Sequence, residues 1–353
     1  MRNLAAVDIA FGPRFNVISG DNGQGKTNLL EALYVLATSK SFRTSRPGDL
    51  VVHGGDLASV RGGVREGAFE REQSVGVRAG SRVVRIDGKR PRSLAAYAVK
   101  TPIVVFHPGE IALSMGSGSE RRRLLDRVAL YLEPSSMAEL ESYTHAMRAR
   151  QRTLETRGMA AADLDEWEEL MVRHGVGVMR ARREAAERLS ASAVRSFARI
   201  AAPGLDLRAD YAPGAPEDSD RFRDEVAGRR AADLRRGGAG IGPHKDELRL
   251  EIGDHPVRGV ASQGQHRAVT LALKAAEVET VGQARGVRPI LLLDDVSSEL
   301  DRARTASLFA FLRAHDGQVF LTTTRRELID TGQLEDPSAR QDFTVVSGTV
   351  TGP

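Results

Sequence analysis

Gly20-Asp21-Asn22-Gly23-Gln24-Gly25-Lys26-Thr27 follows the phosphate-loop pattern of a glycine, four residues and then Gly-Lys-Thr. The apolar run Phe15-Asn16-Val17-Ile18-Ser19 before it reads as a buried strand, and Asn28-Leu29-Leu30-Glu31-Ala32-Leu33-Tyr34 after it reads as a helix. Strand, loop and helix are the context the motif needs. Three glycines let the backbone turn tightly and aim its amide hydrogens at phosphate oxygens, while the helix adds the positive end of its dipole. On this reading the stretch from Gly20 to Asn28 cradles the phosphates of a nucleoside triphosphate, Lys26 meets the β and γ phosphates, and Thr27 holds Mg²⁺ through its hydroxyl. The stretch predicts an α/β protein that binds a nucleoside triphosphate.

Composition sets the bounds. A chain of 353 residues, 41% of them hydrophobic, can form one large domain or two with a real core. Lys and Arg number 51 against 47 Asp and Glu, a net charge of +4 that permits a polyanionic partner without requiring one. The absence of cysteine excludes disulfides, thiolate metal sites and a cysteine nucleophile, as suits a reducing compartment. The strongest apolar run, Pro289 to Leu293, is far too short to cross a bilayer. A cytoplasmic protein with no signal peptide and no membrane span is expected.

Along the chain, Ser39 to Thr44 reads as a polar loop over the nucleotide with Arg43 as its candidate contact, and a solvated loop arginine fits the same residues. From Leu50 to Ile103, stretches such as Ser81-Arg82-Val83-Val84-Arg85-Ile86 are broken by turn residues, Asp87-Gly88 being the clearest hairpin signal. From Ser117 the pattern is helical. Ser117 with Glu120, and Ser136 with Glu139, have the spacing of capping boxes. Leu140, Tyr143, Met147, Gln151 and Leu154 recur at helical steps up to Gly158, and Leu164, Trp167, Met171, His174, Val178, Ala181 and Ala185 continue the seam. Two antiparallel helices joined near 158–163 follow, the second about 55 Å long if unbroken to Ile200. Trp167, Met171 and His174 are then packing residues rather than a cofactor site. Residues 201–240, rich in Pro, Gly and Asp and then in Arg, read as a return connection. The expected organisation is a nucleotide-binding head from 1–117 and 239–353, with an inserted helical lobe at 118–238.

Ile290-Leu291-Leu292-Leu293-Asp294-Asp295 is an apolar strand that ends in two carboxylates. Asp294 would hold Mg²⁺, directly or through water, and Asp295 would polarise the attacking water. Any buried strand can end in Asp, so its neighbours decide. Ser298-Glu299-Leu300-Asp301 follows directly, and Ser262-Gln263-Gly264-Gln265 opens an apolar helix upstream. That helix start is either an anion site, with Ser262 and the amides of Gly264 and Gln265 facing a γ phosphate, or simply a capped end. Segments in this order resemble ATP-binding-cassette (ABC) ATPases, whose signature, Walker B strand and D-loop come in the same sequence. The resemblance implies a signature acting across a dimer and a catalytic set of Lys26, Asp295, Ser262 and Gln265.

Thr27 and Asp294 stand 267 positions apart, longer than in a transporter cassette, with the helical arm between them, an arrangement that resembles the heads of SMC-type DNA proteins. The closest resemblance is to the RecF family of bacterial recombination mediators. It rests on Gly20 to Ala32, Ser41-Phe42-Arg43, Arg121-Arg122-Arg123-Leu124-Leu125-Asp126, Gly242-Pro243-His244-Lys245-Asp246, Ser262 to Gln265, and Asp294 to Asp301. It implies an ABC-type P-loop ATPase head with a short antiparallel helical lobe, forming an ATP-dependent homodimer on DNA in recombinational gap repair. It also implies RecO and RecR as partners, loading of RecA at junctions of single strand and duplex, and a slow DNA-stimulated ATPase whose turnover drives release. Some positions depart from the wider cassette pattern. Asp295 stands where many relatives carry Glu, Thr322-Thr323-Thr324 stands where transporters carry a histidine, and Pro108-Gly109-Glu110 offers no glutamine-loop residue. His244 fits a turn residue and a sensor equally. The alternatives are a transporter ATPase subunit, expected with a shorter cassette and a switch histidine, and a structural SMC-type head with much longer arms.

DNA contact needs its own argument. Aromatics make up only 5% and none interleave with a basic cluster, so backbone contact is favoured over base stacking. Arg148 and Arg152, Arg173 and Arg180, and Arg121 to Arg123 could track phosphates, or they form solvated helix faces.

Overall fold

The computed structural model describes the chain except for residues 5, 53, 79, 202, 203, 296–301, 330, 333–338 and 353. In chain order its elements begin with β1 (Phe15–Ser19), α1 (Lys26–Thr38), β2 (Ala58–Glu66), β3 (Phe69–Arg78), β4 (Ser81–Ile86), α2 (Leu94–Ala98) and β5 (Ile103–Phe106). Then come α3 (Ala112–Met115), α4 (Gly118–Leu132), α5 (Ser136–Arg157), α6 (Leu164–Ile200), β6 (Leu207–Ala212), α7 (Ser219–Gly228), α8 (Arg230–Arg236), β7 (Glu247–Ile252) and β8 (His255–Pro256). The rest are α9 (Gln263–Arg285), β9 (Ile290–Leu293), α10 (Arg302–Ala314), β10 (Val319–Thr323), β11 (Arg340–Val346) and β12 (Thr349–Thr351). They form two compact units, one of Met1–Glu110 with Val281–Pro353 and the other of Ile111–Thr280.

The first unit is built on a six-stranded sheet in the order β12-β11-β1-β10-β9-β5. Its strands are parallel except for the edge pair of β11 and β12. Parallel strands buried on both faces read as continuous apolar runs, as Phe15–Ser19, Ile290–Leu293 and Val319–Thr323 do. Ile18, Leu30, Tyr34, Val105, Leu292, Phe320 and Phe343 share one core there. Because β1, β10, β9 and β5 run the same way, Ser19, Thr323, Leu293 and Phe106 all end at one edge, where α/β sheets bind ligands. A second sheet, β2-β3-β4, packs Val75, Val77 and Val84 against Tyr97 and Val35. Asp87 and Gly88 both have positive φ, 49° and 75°, as the two central residues of a type I′ turn require, and Ile86 bridges Lys89.

In the second unit α5 and α6 are the antiparallel helices expected from the seam. Glu139 meets His174 near one end and Arg150 meets Glu168 further along, so the chains run in opposite directions. Gly158 ends α5 at φ 79°. Tyr143, Met171 and Val178 lie in the seam's core with Trp167 packed on it; half-buried His174 pairs with Glu139. Arg150 is fully buried yet bonded to Glu168 at 2.9 Å, Asp233 at 2.8 Å and the Val226 carbonyl at 2.9 Å, which offsets its desolvation.

The structure corrects three expectations here. The unit reaches from 111 to 280 rather than 118 to 238, because α4, α6, β6, β7 and the first part of α9 share a core that includes Leu125, Leu189, Leu207, Leu250 and Leu273. Residues 201–240 hold β6, α7 and α8 rather than a plain connection. Neither expected capping box forms. The Ser117 hydroxyl turns to Ser119, and α5 starts after Ser135 with no side-chain cap.

Candidate nucleotide site

The phosphate loop joins β1 to α1 as the motif requires. Gly20 has φ 151°, and a Cβ there would lie 2.4 Å from the Val345 carbonyl oxygen. Gly25 has φ 118°, and a Cβ there would meet Asn3 at 2.9 Å. Backbone conformation disfavours a side chain at both, and at Gly20 the facing backbone carbonyl leaves no space for one. Asp21, Asn22 and Gly23 are exposed at the apex, while Lys26 is only 7% exposed. Its ammonium donates to the Gly20 and Asp21 carbonyls at 2.6 and 2.9 Å. Burial pushes its pKa below the usual lysine value, and the charges of Asp295, Asp294 and Asp21 oppose that shift.

At the neighbouring strand end the Thr27 hydroxyl lies 2.9 and 3.0 Å from the two oxygens of Asp294. The Thr322 hydroxyl donates to the same carboxylate at 2.8 Å and accepts from the Asp295 amide at 2.9 Å. A carboxylate between two hydroxyls is an all-oxygen donor set, which fits a hard divalent cation. Asp295 follows at φ 49°, a left-handed conformation uncommon for a residue with a side chain. Lys26, Thr27, Asp294 and Asp295 thus lie at one edge of the sheet. The D-loop segment Ser298 to Asp301 lies outside the described residues.

Other residues around the loop were not legible beforehand. Asn3 donates to the Gln24 carbonyl at 3.2 Å and accepts from Asn28 at 2.6 Å, and the Ser347 and Gly348 amides donate to Gln24. Fully buried Glu31 pairs with Arg2 at 2.5 and 2.9 Å, accepts from Ser41 and lies 3.5 Å from Arg43. Arg43 itself donates to Asn28 at 2.8 Å, so the Ser-Phe-Arg loop is tied to α1 beside the motif. Phe42 packs on His107, which follows β5 and lies 3.4 Å from Glu110. The sequence carries no local signal for Arg2, Asn3 or Ser347, since their partners lie up to 323 positions away.

Ser262 and Gln265 lie in the other unit at the start of α9. Their side chains cap each other's amides, Gln265 N–H to Ser262 Oγ at 3.2 Å and Ser262 N–H to Gln265 Oε1 at 2.8 Å. The helix start is thus capped, and the Gln265 amide expected to face phosphate is bonded to Ser262. The exposed Ser262 hydroxyl keeps its own proton to donate. Arg121 is also corrected. It is buried, paired with Glu247 at 2.6 Å and bonded to the Leu113 and Gly116 carbonyls, so it cannot track DNA. Arg122 is half-buried against the Asp246 carbonyl, and Arg123 pairs with Glu120. His244 Nε2–H donates to the Ala239 carbonyl at 2.9 Å while its Nδ1 lies 2.6 Å from the Tyr143 hydroxyl, and burial pushes its pKa down.

The family model for the RecF/RecN/SMC N terminal domain matches residues 1–337. The DNA replication and repair protein RecF of Anaeromyxobacter sp. (strain Fw109-5) is 40% identical, over 100% of this chain and 96% of its own length. That of Geobacter sp. (strain M21) is 33% identical, over 95% of this chain and 93% of its own. Among solved structures, the recombination mediator protein RecF with ATP, of the RecFOR pathway, is 27% identical with a TM-score of 0.87, covering 100% of this chain and 96% of that one. An Smc head from Pyrococcus furiosus, at 17% identity and a TM-score of 0.52 over 97% of this chain and 89% of that one, shares the fold alone.

Proposed function

This chain belongs to the RecF family of DNA replication and repair proteins, and on that premise we propose that it binds and hydrolyses ATP where β1, β10 and β9 end, to govern its hold on DNA in recombinational gap repair. The observation that carries this reading is the bond between Thr27 and Asp294, which joins phosphate loop and acidic strand across 267 positions. Lys26 meets the β and γ phosphates. Thr27 and Asp294 hold Mg²⁺, which when bound neutralises charge on the transferring phosphoryl group. Asp295 accepts the proton of the attacking water. Gly20 to Asn28 and Arg43 form the rest of the nucleotide contact. Ser262 and the Gly264 amide of one copy complete the site of a second copy, with Gln265 holding Ser262 through their paired caps, so the homodimer forms with ATP and loosens after hydrolysis. The solved relative described with ATP in the RecFOR pathway supports ATP as ligand and RecO and RecR as partners, with RecA downstream.

DNA is held through its backbone and stimulates a slow ATPase. Arg148, Arg152, Arg173 and Arg180 are exposed, and the ion pairs among the described residues do not include them, which supports the arm as a phosphate-tracking surface. Among the described residues no helix is long and apolar enough to cross a membrane.

Two variants test the chemistry. Lys26→Ala should weaken binding of a fluorescent ATP analogue by roughly 10- to 100-fold, the worth of a charge-assisted hydrogen bond or two. Asp295→Asn should bind that analogue like the parent while hydrolysis falls by roughly 10²- to 10⁴-fold. Tight binding by the first variant, or undiminished turnover by the second, would remove those residues from their assigned roles.

A further inference from the structure

Thr322 lies on β10, the strand between β1, which leads into the phosphate loop, and β9, which leads into Asp294. It pairs in register with Ile18 and is 2% exposed. Its hydroxyl oxygen is 2.8 Å from Oδ1 of Asp294 and 2.9 Å from the amide nitrogen of Asp295. A hydroxyl has one proton and two acceptor sites, so it can donate to the carboxylate and accept from the amide at the same time. An aliphatic side chain of equal size can do neither.

Both partners matter to the chemistry. Asp294, 8% exposed, is held by Thr27 from α1 and by Thr322 from β10, so its carboxylate is oriented from two elements. Asp295 takes a left-handed backbone at φ 49°, a conformation that persists where surrounding bonds over-determine it. The bond its amide donates to Thr322 is one such constraint. We infer that Thr322 is a positioning residue of this site: one hydroxyl sets the carboxylate of Asp294 toward the cation and pins the backbone of Asp295 beside the attacking water. The inference rests on the ATPase reading above.

The test uses the full chain with Thr322→Val, Thr322→Ala and Thr322→Ser. Mn²⁺ binding is followed by electron paramagnetic resonance with a non-hydrolysable ATP analogue, alongside kcat against Mg²⁺ and analogue binding in EDTA. Val should weaken Mn²⁺ binding by about 10- to 100-fold, as loss of an outer-sphere partner does, and lower kcat. Analogue binding in EDTA should stay within about twofold, since the phosphate loop is untouched, and Ser should restore Mn²⁺ binding to within about threefold of the parent. Ala replaces Val in each comparison if Val does not fold. Val or Ala with the parent's Mn²⁺ affinity and kcat would overturn the inference. So would Ser as impaired as Val, which would assign the effect to the methyl group's packing. A parent protein that binds no Mn²⁺ with the analogue would instead overturn the ATPase reading itself.

Discussion

Lys26 carries its charge in a place that water barely reaches. Burial favours the neutral amine and is the largest influence on it, so its pKa lies below the ordinary 10.5 although three nearby aspartates pull the other way. Deprotonation removes the charge that meets the phosphates, so ATP affinity should fall as pH rises, beginning below the range of an exposed lysine. Lys26→Arg, protonated throughout, should flatten that limb. Titrating a fluorescent ATP analogue from about pH 7 to 11 checks this, and a parent curve that stays flat past the ordinary lysine value would contradict it. At this scale the sequence was legible where chemistry is local. Lys26, Thr27 and Asp294 follow from a motif and a strand end, whereas the bonds from Asn3 and Ser347 to Gln24 exist only once distant segments meet. Arg121 shows the opposite error. It reads as part of a basic run, yet Glu247, 126 positions away, takes it out of solvent.

Periodicity decided which elements could be foreseen. Long helices with a regular seam, α5 and α6, were legible because many positions repeat one message, and the turn at Asp87-Gly88 because positive φ selects those residues. β6 was missed. Its alternation of buried Leu207 and Ala209 with exposed Arg208 and Asp210 is short and sits among Pro, Gly and Asp. The start of α9 had two readings, and the reciprocal bonds of Ser262 and Gln265 make it a capped end whatever else it does. The arm carries a prediction of its own. Arg148 and Arg152 lie one turn apart on an exposed face, so Arg148→Glu with Arg152→Glu should weaken duplex binding and lower the salt dependence by about two phosphate contacts, each worth a slope of about −0.9. Unchanged affinity and slope would place the DNA contact elsewhere.

For the whole molecule, the head's alternation of strand and helix with a helical insertion was legible, and the limits of the insertion were not. A boundary is set by which faces share a core, and the apolar side of α9 that packs with α4, α6 and β7 cannot be read from its own sequence. The same limit applies to assembly. One chain carries one phosphate loop and one Ser262 segment, so a complete site requires two copies, with ATP as part of what joins them. Sedimentation velocity of the Asp295→Asn protein tests this most directly, because slowed hydrolysis holds the ATP state, and Ser262→Arg in that background adds bulk and like charge where the opposing Lys26 would lie. A dimer is expected with ATP and Mg²⁺, a monomer with ADP, and a monomer with either nucleotide once Ser262 is replaced. One sedimentation coefficient under all these conditions, from protein that still binds ATP, would contradict it.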